Sequence, residues 1–296
     1  MKTDLSTTKM LFYGTPEISV PTLNFLFSNY SVVACVTQPD KPAGRGKSIQ
    51  ASPVKQFAEA NNIPVLQPTS VSQKTPDGTA FADTIRTLAP DVAIVFAYGH
   101  IIPGSVLAIP RMGSLNIHTS LLPLLRGASP IQSAIRDGCT ETGITLMKMG
   151  VGMDTGPILA TVTVPITNKE TAETLHDTLQ AESPKLLQRA LPQYLNGDIE
   201  PEEQDESRAT YCTLIKKEDG EINWNQSPIE IDRLVRAYTP WPGAYTYCND
   251  TRVKIIETTI TSNGTLQIIY VQPAGKNKMD FTSFTRGYPQ CPLPPR

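Results

Sequence analysis

Three polar residues in two separate segments of this chain have the side chains that a group-transfer reaction needs. Asn116 and His118 lie in GSLNIHTSLLPLLRGASP, which runs from 113 to 130, and Asp154 lies in GITLMKMGVGMDTGPIL, which runs from 143 to 159. An amide and a protonated imidazole can stabilise a developing oxyanion, and a nearby carboxylate favours the protonated imidazole. A carboxylate can also help to move the proton of an attacking amine. The set therefore indicates a transfer that passes through a tetrahedral oxyanion.

Each of the three residues also has a purely structural interpretation. Asn116 could cap a turn, His118 could be a hydrogen-bonded core histidine, and Asp154 could form an Asx-turn. For any one of them alone, the structural interpretation is the better one. Because they stand together near the ends of predicted strands, we favour a shared catalytic role.

The predicted strands place this trio where ligands bind in an open sheet. Continuous apolar runs predict buried strands that include KMLFYG (9–14), DVAIVFAYG (91–99) and SLNIH (114–118). Helical patterns alternate with the strands over the first two-thirds of the chain, which predicts an α/β Rossmann-like fold, a mostly parallel sheet with helices on both faces. Asn116 and His118 share one face of their strand. Ligands sit at the carboxyl ends of such strands, so these residues are where a site is expected.

A change of pattern near residue 196 predicts a second, smaller domain. The stretch NGDIEPEEQDESRAT (196–210) is polar and acidic, which is typical of a linker. Further on, Asn263-Gly264 interrupts an alternating apolar stretch as a hairpin turn does. We therefore predict a Rossmann-like catalytic domain over 1–195, a linker over 196–208, a C-terminal OB-like β-barrel domain over 209–288, and a disordered proline-rich tail over 289–296.

The composition is that of a soluble globular protein. Of the 296 residues, 40% are hydrophobic and 18% are charged, which is typical of a folded chain. No apolar run approaches the roughly 20 residues of a membrane span, and the N-terminal MKTDLSTTKM resembles neither a secretory signal nor a transit peptide. Five scattered cysteines without C-x-x-C spacing predict a reducing compartment, no disulfide framework and no zinc site. We expect a cytoplasmic protein, and nothing in the sequence requires more than a monomer.

Several common functional motifs are absent from the sequence. YGTPE follows the first predicted strand where a dinucleotide-binding protein has G-x-G-x-x-G, and Lys41 stands where the Walker spacing of the AGRGKS stretch requires glycine. There is no G-x-S-x-G elbow, and His100, His118 and His176 are too widely separated to indicate a metal cluster. The sequence thus gives no support to a nicotinamide oxidoreductase, a P-loop hydrolase or a metalloenzyme, and we expect no bound metal.

Several stretches of the chain resemble the folate-dependent formyltransferase family. The resemblance is carried by NIHTSLLPLLRGASPIQ and ETGITLMKMGVGMDTGPIL, with support from MLFYGTPEISVPTL (10–23) and ATYCTLIKKEDGEINW (209–224). It extends from about residue 9 to 279. Within the family, the combination is most similar to members that formylate methionyl-tRNA.

The resemblance implies a reaction and a donor site. The reaction is transfer of the formyl group of 10-formyltetrahydrofolate, a consumed co-substrate, to the α-amine of methionyl initiator tRNA, and Asn116, His118 and Asp154 are the implied catalytic residues. No metal is implied. The implied folate pocket is lined by two short segments and residues around Asp154. The segments hold Phe96, Ala97, Tyr98 and Gly99, and Ser120, Leu121, Leu122 and Pro123.

The charge distribution and one basic loop indicate which residues could contact the tRNA. Residues 1–206 carry 15 basic and 20 acidic side chains, a net charge of −5, and residues 207–296 carry 11 and 8, a net charge of +3. On charge alone, ordinary surface variation is the simpler interpretation, and a basic loop such as QPDKPAGRGKSIQ (38–50) is usually a solvated connector. The resemblance instead implies that this loop contacts the acceptor stem, through Lys41, Arg45 and Lys47. Further candidates for contact with the tRNA backbone are Arg252, Lys254, Lys276 and Lys278.

Three other functions stay open at this point. A formyltransferase of the same family that acts on a nucleotide or amino-sugar amine would share the trio and differ in the basic loop and the β domain. A formyltetrahydrofolate hydrolase would release formate from the same site without an amine acceptor. A non-catalytic RNA-binding protein would have no need of Asn116, His118 and Asp154, so their presence speaks against it.

Overall fold

The structure, a computed structural model, describes residues 5–43, 48–291 and 293. These residues form two compact units. The first unit holds the described residues up to 126 together with 143–163 and 177–210, and the second holds 127–142, 164–176 and the described residues from 211 onwards. This division differs from the predicted linear order, because the stretch predicted as a linker belongs to the first unit and two internal segments belong to the second.

Fifteen strands are present among the described residues. In chain order they are β1 (Lys9–Gly14), β2 (Ser31–Val36), β3 (Lys41–Ala43), β4 (Ser48–Gln50), β5 (Val65–Leu66), β6 (Val92–Phe96), β7 (Ser114–His118), β8 (Arg126–Gly127), β9 (Glu141–Lys148), β10 (Ile158–Pro165), β11 (Tyr211–Cys212), β12 (Tyr245–Cys248), β13 (Thr251–Ile260), β14 (Leu266–Pro273) and β15 (Met279–Asp280).

Eight α-helices connect these strands in the part of the chain that the structure describes. They are α1 (Val20–Asn29), α2 (Pro53–Ala60), α3 (Pro76–Leu88), α4 (Gly104–Leu107), α5 (Pro130–Arg136), α6 (Ala172–Asn196), α7 (Pro228–Ala237) and α8 (Phe281–Gly287). Short 3-10 helices span Glu17–Ser19, Glu206–Arg208 and Glu218–Gly220. None of the described helices is both long and apolar enough to cross a membrane.

Three of the helices begin with a hydroxyl side chain followed by proline. Ser52, Thr75 and Ser227 each precede a proline at the first helical position, and each side chain accepts a hydrogen bond from the backbone N–H three residues further on. The hydroxyl satisfies a backbone donor that has no partner within the helix, and proline has no N–H to satisfy at that position. The local sequence therefore fixes where α2, α3 and α7 start.

The first unit is built on a seven-stranded sheet with the order β10-β9-β7-β6-β1-β2-β5. β1 pairs in parallel with β2 and β6, β6 pairs in parallel with β7, and β2 pairs in parallel with β5. The pairing of β7 with β9 is antiparallel. The predicted α/β fold with a mostly parallel sheet is therefore confirmed. The strand order reverses between β1 and β6, and open sheets of this kind bind ligands at such a point.

Helices cover both faces of this sheet. On one face, Leu11 and Tyr13 of β1 and Val95 of β6 pack with Phe81 and Ile85 of α3 in a buried apolar cluster. The chain passes from β1 through α1 to β2, and it returns in the opposite direction through α3 to β6. Because such crossovers are right-handed, α1 and α3 lie on opposite faces. The packed sheet gives the ends of β6 and β7 a rigid support.

The second unit contains an antiparallel sheet with the order β12-β13-β14-β15. The predicted turn at Asn263-Gly264 joins β13 to β14, and Gly264 has a φ of 81° that suits glycine. The buried Asp232 of α7 accepts hydrogen bonds from Arg236 (2.9 Å) and from Thr258 of β13 (2.8 Å). The predicted C-terminal β domain is thus confirmed as an antiparallel sheet domain, and its closure into an OB-like barrel stays a prediction.

The end of the chain contains a disulfide, whereas the sequence predicted no disulfide framework. Cys248 of β12 forms a disulfide with Cys291, with 5.4 Å between their Cα atoms, and Cys291 and Leu293 are buried. Cys35, Cys139 and Cys212 are free. The two bonded cysteines are 43 residues apart, and this long separation left no recognisable spacing in the sequence. The proline-rich composition around residue 291 also gave no sign of the buried contacts.

Candidate active site

The end of β7 carries the first two members of the trio. β7 lies between β6 and β9, where Asn116 is paired with Val95 on one side and Met147 on the other. His118 is two residues further on and is 6% exposed, whereas Asn116 is only partly buried. Their side chains lie on the same face of the strand. The sheet therefore presents an amide and an imidazole side by side at its carboxyl edge.

His118 is fixed by a hydrogen bond to a backbone carbonyl. Its Nε2 lies 3.0 Å from the carbonyl oxygen of Leu125. A carbonyl oxygen only accepts, so Nε2 carries the hydrogen in this contact. Nδ1 lies 3.7 Å from Oδ2 of Asp154. The structure therefore brings His118 and Asp154, which are distant in sequence, to the same place.

Asp154 occupies a tight turn between β9 and β10. Its φ is 54°, in the left-handed region, which an aspartate adopts more readily than most residues. Two residues later, Gly156 passes so close to β9 that a Cβ there would lie 1.7 Å from the carbonyl oxygen of Lys148. Only glycine fits at that position. The backbone of the turn thus directs the Asp154 carboxylate toward His118.

The loop after β7 is held by a residue that sequence reasoning missed. Thr145 of β9 is fully buried, donates to the carbonyl oxygen of Ser120 (2.7 Å) and accepts from the N–H of Leu122 (3.1 Å). Ser120 in turn donates its hydroxyl to the carbonyl of Leu124 at 2.5 Å. The peptide between Leu122 and Pro123 is cis. Four predicted folate-lining residues, Ser120 to Pro123, therefore lie in a loop with its own hydrogen-bond network.

The other predicted folate-lining segment continues from β6. Phe96 and Tyr98 are buried, whereas Ala97 and Gly99 are exposed and have φ values of 52° and 82°. Burial raises the pKa of Tyr98 to about 12. The alternation leaves the backbone at Ala97 and Gly99 open to solvent at the point where the strand order reverses.

Two polar residues that sequence reasoning missed hold this segment. The carbonyl of Tyr98 accepts hydrogen bonds from the Thr15 hydroxyl and the Gln38 side-chain amide, both at 3.0 Å. Thr15 follows β1, and Gln38 lies just beyond β2. The carboxyl ends of three adjacent strands are therefore tied together. No recognisable motif surrounds either residue, and only their positions after strands could have marked them.

Arg126, which follows the loop, is the largest fully buried side chain among the described residues. Its guanidinium donates to the side-chain oxygen of Gln204 from Nε (3.1 Å) and Nη2 (2.8 Å). It also donates to both carboxylate oxygens of Glu206, at 2.9 and 2.7 Å, and this holds the pKa of Glu206 below its usual value. A buried charge is costly unless it is paired in this way.

The predicted basic loop is only partly described. Lys41 lies in β3, which pairs with β4 as a short antiparallel ribbon, so this segment is more regular than the solvated connector that its composition suggests. Lys41 is exposed, and its ammonium donates to Gln38 at 2.5 Å. Arg45 and Lys47 lie outside the described residues.

The four predicted tRNA-binding cations of the second unit differ in their exposure and in their contacts within the unit. Arg252 lies over the ring of Tyr245, 3.7 Å from its centroid. Lys278 lies 4.0 Å from the ring centroid of Tyr270 and is exposed. Lys254, which is paired with Tyr245 across the strands, is half-buried, and Lys276 is exposed in the turn after β14. A cation over an aromatic ring is attracted to it, so Arg252 and Lys278 have partners within the unit.

No cluster of three or more histidine, cysteine, aspartate or glutamate side chains that could hold a metal ion occurs at residues 5–43, 48–291 or 293. His118 and Asp154 stand as a pair.

Two protein-family models match this chain. The first, described as formyl transferase, matches residues 18–191, and the second, described as formyl transferase, C-terminal domain, matches residues 214–263. The first match covers β7, the loop that follows it and the Asp154 turn. The second covers α7, β12 and β13.

Individual proteins similar to this chain agree with those matches. The methionyl-tRNA formyltransferase of Legionella pneumophila (strain Paris) is 46% identical over 247 residues, which cover 83% of this chain and 77% of that protein. The methionyl-tRNA formyltransferase of Myxococcus xanthus is 39% identical over 309 residues, with 97% of both chains covered. Among solved structures, an N-formyltransferase from Helicobacter canadensis, in complex with folinic acid and dTDP-3-aminofucose, has a TM-score of 0.66 at 22% identity and covers 86% of this chain and 88% of its own. That structure supports the fold alone.

Proposed function

The chain belongs to the methionyl-tRNA formyltransferases of the formyl transferase family, and we propose that Asn116, His118 and Asp154 are its catalytic residues. They move the formyl group of 10-formyltetrahydrofolate to the α-amine of methionyl initiator tRNA. The observation that supports this assignment is the 3.7 Å approach of the Asp154 carboxylate to Nδ1 of His118. Asn116 stands on the same strand face, so all three groups can act on one carbonyl.

Asn116 is assigned to the oxyanion. When the neutral α-amine attacks the formyl carbon, a new C–N bond forms and the electrons of the carbonyl double bond move to oxygen. The Asn116 amide donates a hydrogen bond to that oxygen, and removing one such donor typically costs about 10²–10³ in rate. The rigid pairing of β7 between β6 and β9 keeps the donor in position.

His118 is assigned, with Asp154, to proton transfer. It is not assigned to the oxyanion contact that the sequence suggested, because its Nε2 is bonded to the Leu125 carbonyl and its Nδ1 faces Asp154. The attacking amine loses a proton to the pair, in which Nδ1 of His118 faces the Asp154 carboxylate and Nε2 is bonded to the Leu125 carbonyl. Asp154 stabilises the imidazolium that forms. The tetrahedral intermediate then collapses, the bond from the formyl carbon to the folate nitrogen breaks, and that nitrogen takes the proton. The products are formylmethionyl-tRNA and tetrahydrofolate, with no net proton consumed.

The folate donor is assigned to the ends of β6 and β7. It lies between the segment from Phe96 to Gly99 and the loop from Ser120 to Pro123, with its formyl group at the trio. The position of these two segments after neighbouring strands supports this site, and so does the change of strand order between β1 and β6. The folate is a substrate here, and the residues supply all the acid–base groups.

The tRNA is assigned to basic residues in two parts of the chain. One is the ribbon that carries Lys41 and leads into the undescribed Arg45 and Lys47, and the other is the strand and turn region that carries Arg252, Lys254, Lys276 and Lys278. The net charge of +3 over residues 207–296 supports contact with phosphates. Lys254 and Lys276 are the better candidates of the second group, because Arg252 and Lys278 lie over tyrosine rings.

The working state is proposed to be a cytoplasmic monomer. The trio and its supporting residues all come from one unit of one chain, so the proposed site needs no second copy. Light scattering on the purified protein is expected to give the mass of a single chain, 32.3 kDa. A mass of twice that value at working concentration would contradict the monomer.

Incubation of the purified chain with 10-formyltetrahydrofolate and methionyl initiator tRNA tests the proposed function. We expect formylmethionyl-tRNA to form, and no formylation of an amino-sugar nucleotide under the same conditions. Formylation of the small amine and not of the charged tRNA would overturn the substrate assignment. Formate release without any acceptor would indicate a hydrolase, and tRNA binding without either reaction would indicate a non-catalytic protein.

A further inference from the structure

We infer that Gln204 is a positioning residue for the reaction, a role that rests on the proposed catalytic function of Asp154. Gln204 lies in the acidic stretch that the sequence predicts as a linker, yet its side chain is only 9% exposed. Each of its polar side-chain atoms is used, and the contacts lead to both halves of the proposed acid–base pair.

The donor end of the Gln204 side chain holds the Asp154 turn. Nε2 donates one hydrogen bond to the carbonyl oxygen of Asp154 (2.8 Å) and a second to that of Gly156 (2.7 Å). A side-chain amide has two N–H groups, so both are satisfied. Two bonds to carbonyls on either side of one residue restrict the rotation of that turn. The left-handed φ of Asp154, and so the direction of its carboxylate, depends on this restraint.

The acceptor end of Gln204 fixes the orientation of its amide. Oε1 accepts from Nε and Nη2 of Arg126, which has donors only. A flipped amide would direct its N–H groups at the guanidinium and its oxygen at two carbonyls, so one orientation satisfies every group. Glu206 binds the other side of the guanidinium, which prevents Arg126 from turning away.

The same stretch also holds the partner of His118. Thr210 accepts a hydrogen bond from the N–H of Leu125 at its side-chain oxygen (2.8 Å) and from the N–H of Arg126 at its carbonyl (2.9 Å). The carbonyl of Leu125 is the group bonded to Nε2 of His118. Gln204 therefore connects the Asp154 turn to the segment that orients His118. Its function is to keep the carboxylate and the imidazole at a constant separation.

The variant Gln204→Glu tests the donor end of the side chain separately from the acceptor end. It keeps an oxygen for Arg126 and removes both donors to the Asp154 turn, whereas Gln204→Met would also deprive Arg126 of a partner. Because misplacing a reacting group by about 1 Å can cost roughly 10²-fold in rate, we expect kcat to fall about 10- to 100-fold. We expect the KM for tRNA to change less than about twofold, because the variant removes no contact that binds the tRNA in the ground state.

Two readouts separate positioning from general stability. The single-turnover rate, normalised to the amount of folded enzyme, should fall in Gln204→Glu, because the loss is in the position of the carboxylate and not in the amount of folded protein. Hydrogen exchange of the backbone over residues 150–157 should become faster while the melting temperature stays near that of the wild type. The matched control is Gln193→Glu on α6, which removes an exposed amide donor to the carbonyl of Arg189 and should change neither readout.

Wild-type exchange over 150–157 in Gln204→Glu would overturn the inference, as would faster exchange with an unchanged single-turnover rate. Asp154→Asn is assayed in parallel. If that variant keeps wild-type turnover, the proposed function fails and the positioning role fails with it, even if exchange at the turn increases. If Asp154→Asn is inactive and Gln204→Glu behaves as wild type, only the role of Gln204 is wrong.

Discussion

The proposed acid–base pair and the cations of the second unit are held in opposite ways. In the first unit, His118 is buried against a carbonyl, and the Asp154 turn is bound at two backbone positions by one buried amide. In the second unit, Lys276 and Lys278 are exposed, and Arg252 and Lys278 lie over tyrosine rings. Chemistry at one atom requires fixed geometry, whereas contact with phosphates requires charge within reach.

This difference predicts two classes of variant. Changes at the His118–Asp154 pair and at the residues that hold it should lower kcat, because they alter interactions that act in the transition state. Changes among the cations should raise the KM for tRNA and alter its salt dependence, because each contact adds to a non-specific attraction. The following predictions go from the largest expected effect on turnover to the smallest.

Asp154→Asn should have the largest effect. The side chain keeps its size and loses the charge that stabilises the imidazolium of His118, and general acid–base catalysis contributes about 10²–10⁴-fold. Steady-state kinetics should show a fall in kcat of that order with little change in the KM for tRNA. The matched control is Asp198→Asn, an exposed carboxylate of the first unit, which should be fully active. Near-normal turnover in Asp154→Asn would remove Asp154 from the mechanism.

Asn116→Ala should have the second-largest effect. Loss of one oxyanion donor predicts a fall in kcat of about 10²–10³, with the fold preserved because Asn116 is only partly buried. Single-turnover assays with saturating donor isolate the chemical step. Asn24→Ala, which truncates an exposed asparagine of α1, is the matched control. A rate within threefold of the wild type would assign the oxyanion to another group.

Lys254→Ala and Lys276→Ala should leave kcat unchanged and weaken tRNA binding. Loss of one phosphate contact reduces the steepness of log K for tRNA binding against log salt concentration by about 0.9 for a duplex. Binding titrations at several salt concentrations therefore measure whether a phosphate contact has been lost. Lys185→Ala is the matched control, because Lys185 is an exposed lysine of the first unit that pairs with Glu182 at 2.7 Å. Equal salt slopes for all three variants would exclude Lys254 and Lys276 from the interface with the tRNA.

Cys248→Ser should have the smallest effect on turnover. Loss of its bond to Cys291 should lower the free energy of unfolding by about 2–4 kcal/mol without reductant and leave kcat unchanged, because neither cysteine belongs to the first unit. In the presence of dithiothreitol, wild type and variant should unfold alike. Equal stability of wild type and variant under oxidising conditions would show that the disulfide does not stabilise the fold. A loss of kcat would show that the second unit affects the proposed site in the first.

The sequence predicted the sheet because its strands are continuous apolar runs. DVAIVFAYG became β6 and SLNIH became β7, each close to its predicted bounds. It also singled out Asn116, His118 and Asp154, because their side-chain chemistry and their positions near the ends of predicted strands can be recognised in the sequence. The 3.7 Å distance between His118 Nδ1 and Asp154 Oδ2 could not be predicted in this way, because His118 and Asp154 are 36 positions apart and only the folded chain brings them together.

The residues that sequence reasoning missed act through long-range contacts. Gln204 lies in a stretch as polar as any linker, and nothing local shows that its amide turns inward to Arg126. Thr145 resembles any β-branched strand residue until Ser120 is folded against it. The pairing of Cys248 with Cys291 depends on α8 bringing the chain back to the sheet. In each case the partner is supplied by tertiary structure, which composition and spacing do not encode.

The most direct test of the central claim is a double-mutant cycle on His118 and Asp154, measured as single-turnover rates of formyl transfer. If the two side chains act as one acid–base pair, the double variant His118→Asn/Asp154→Asn should be about as slow as the slower single variant, because residues that act as a unit are strongly non-additive. Rate losses that multiply across the two single variants would show that the two residues act independently, and would contradict the account.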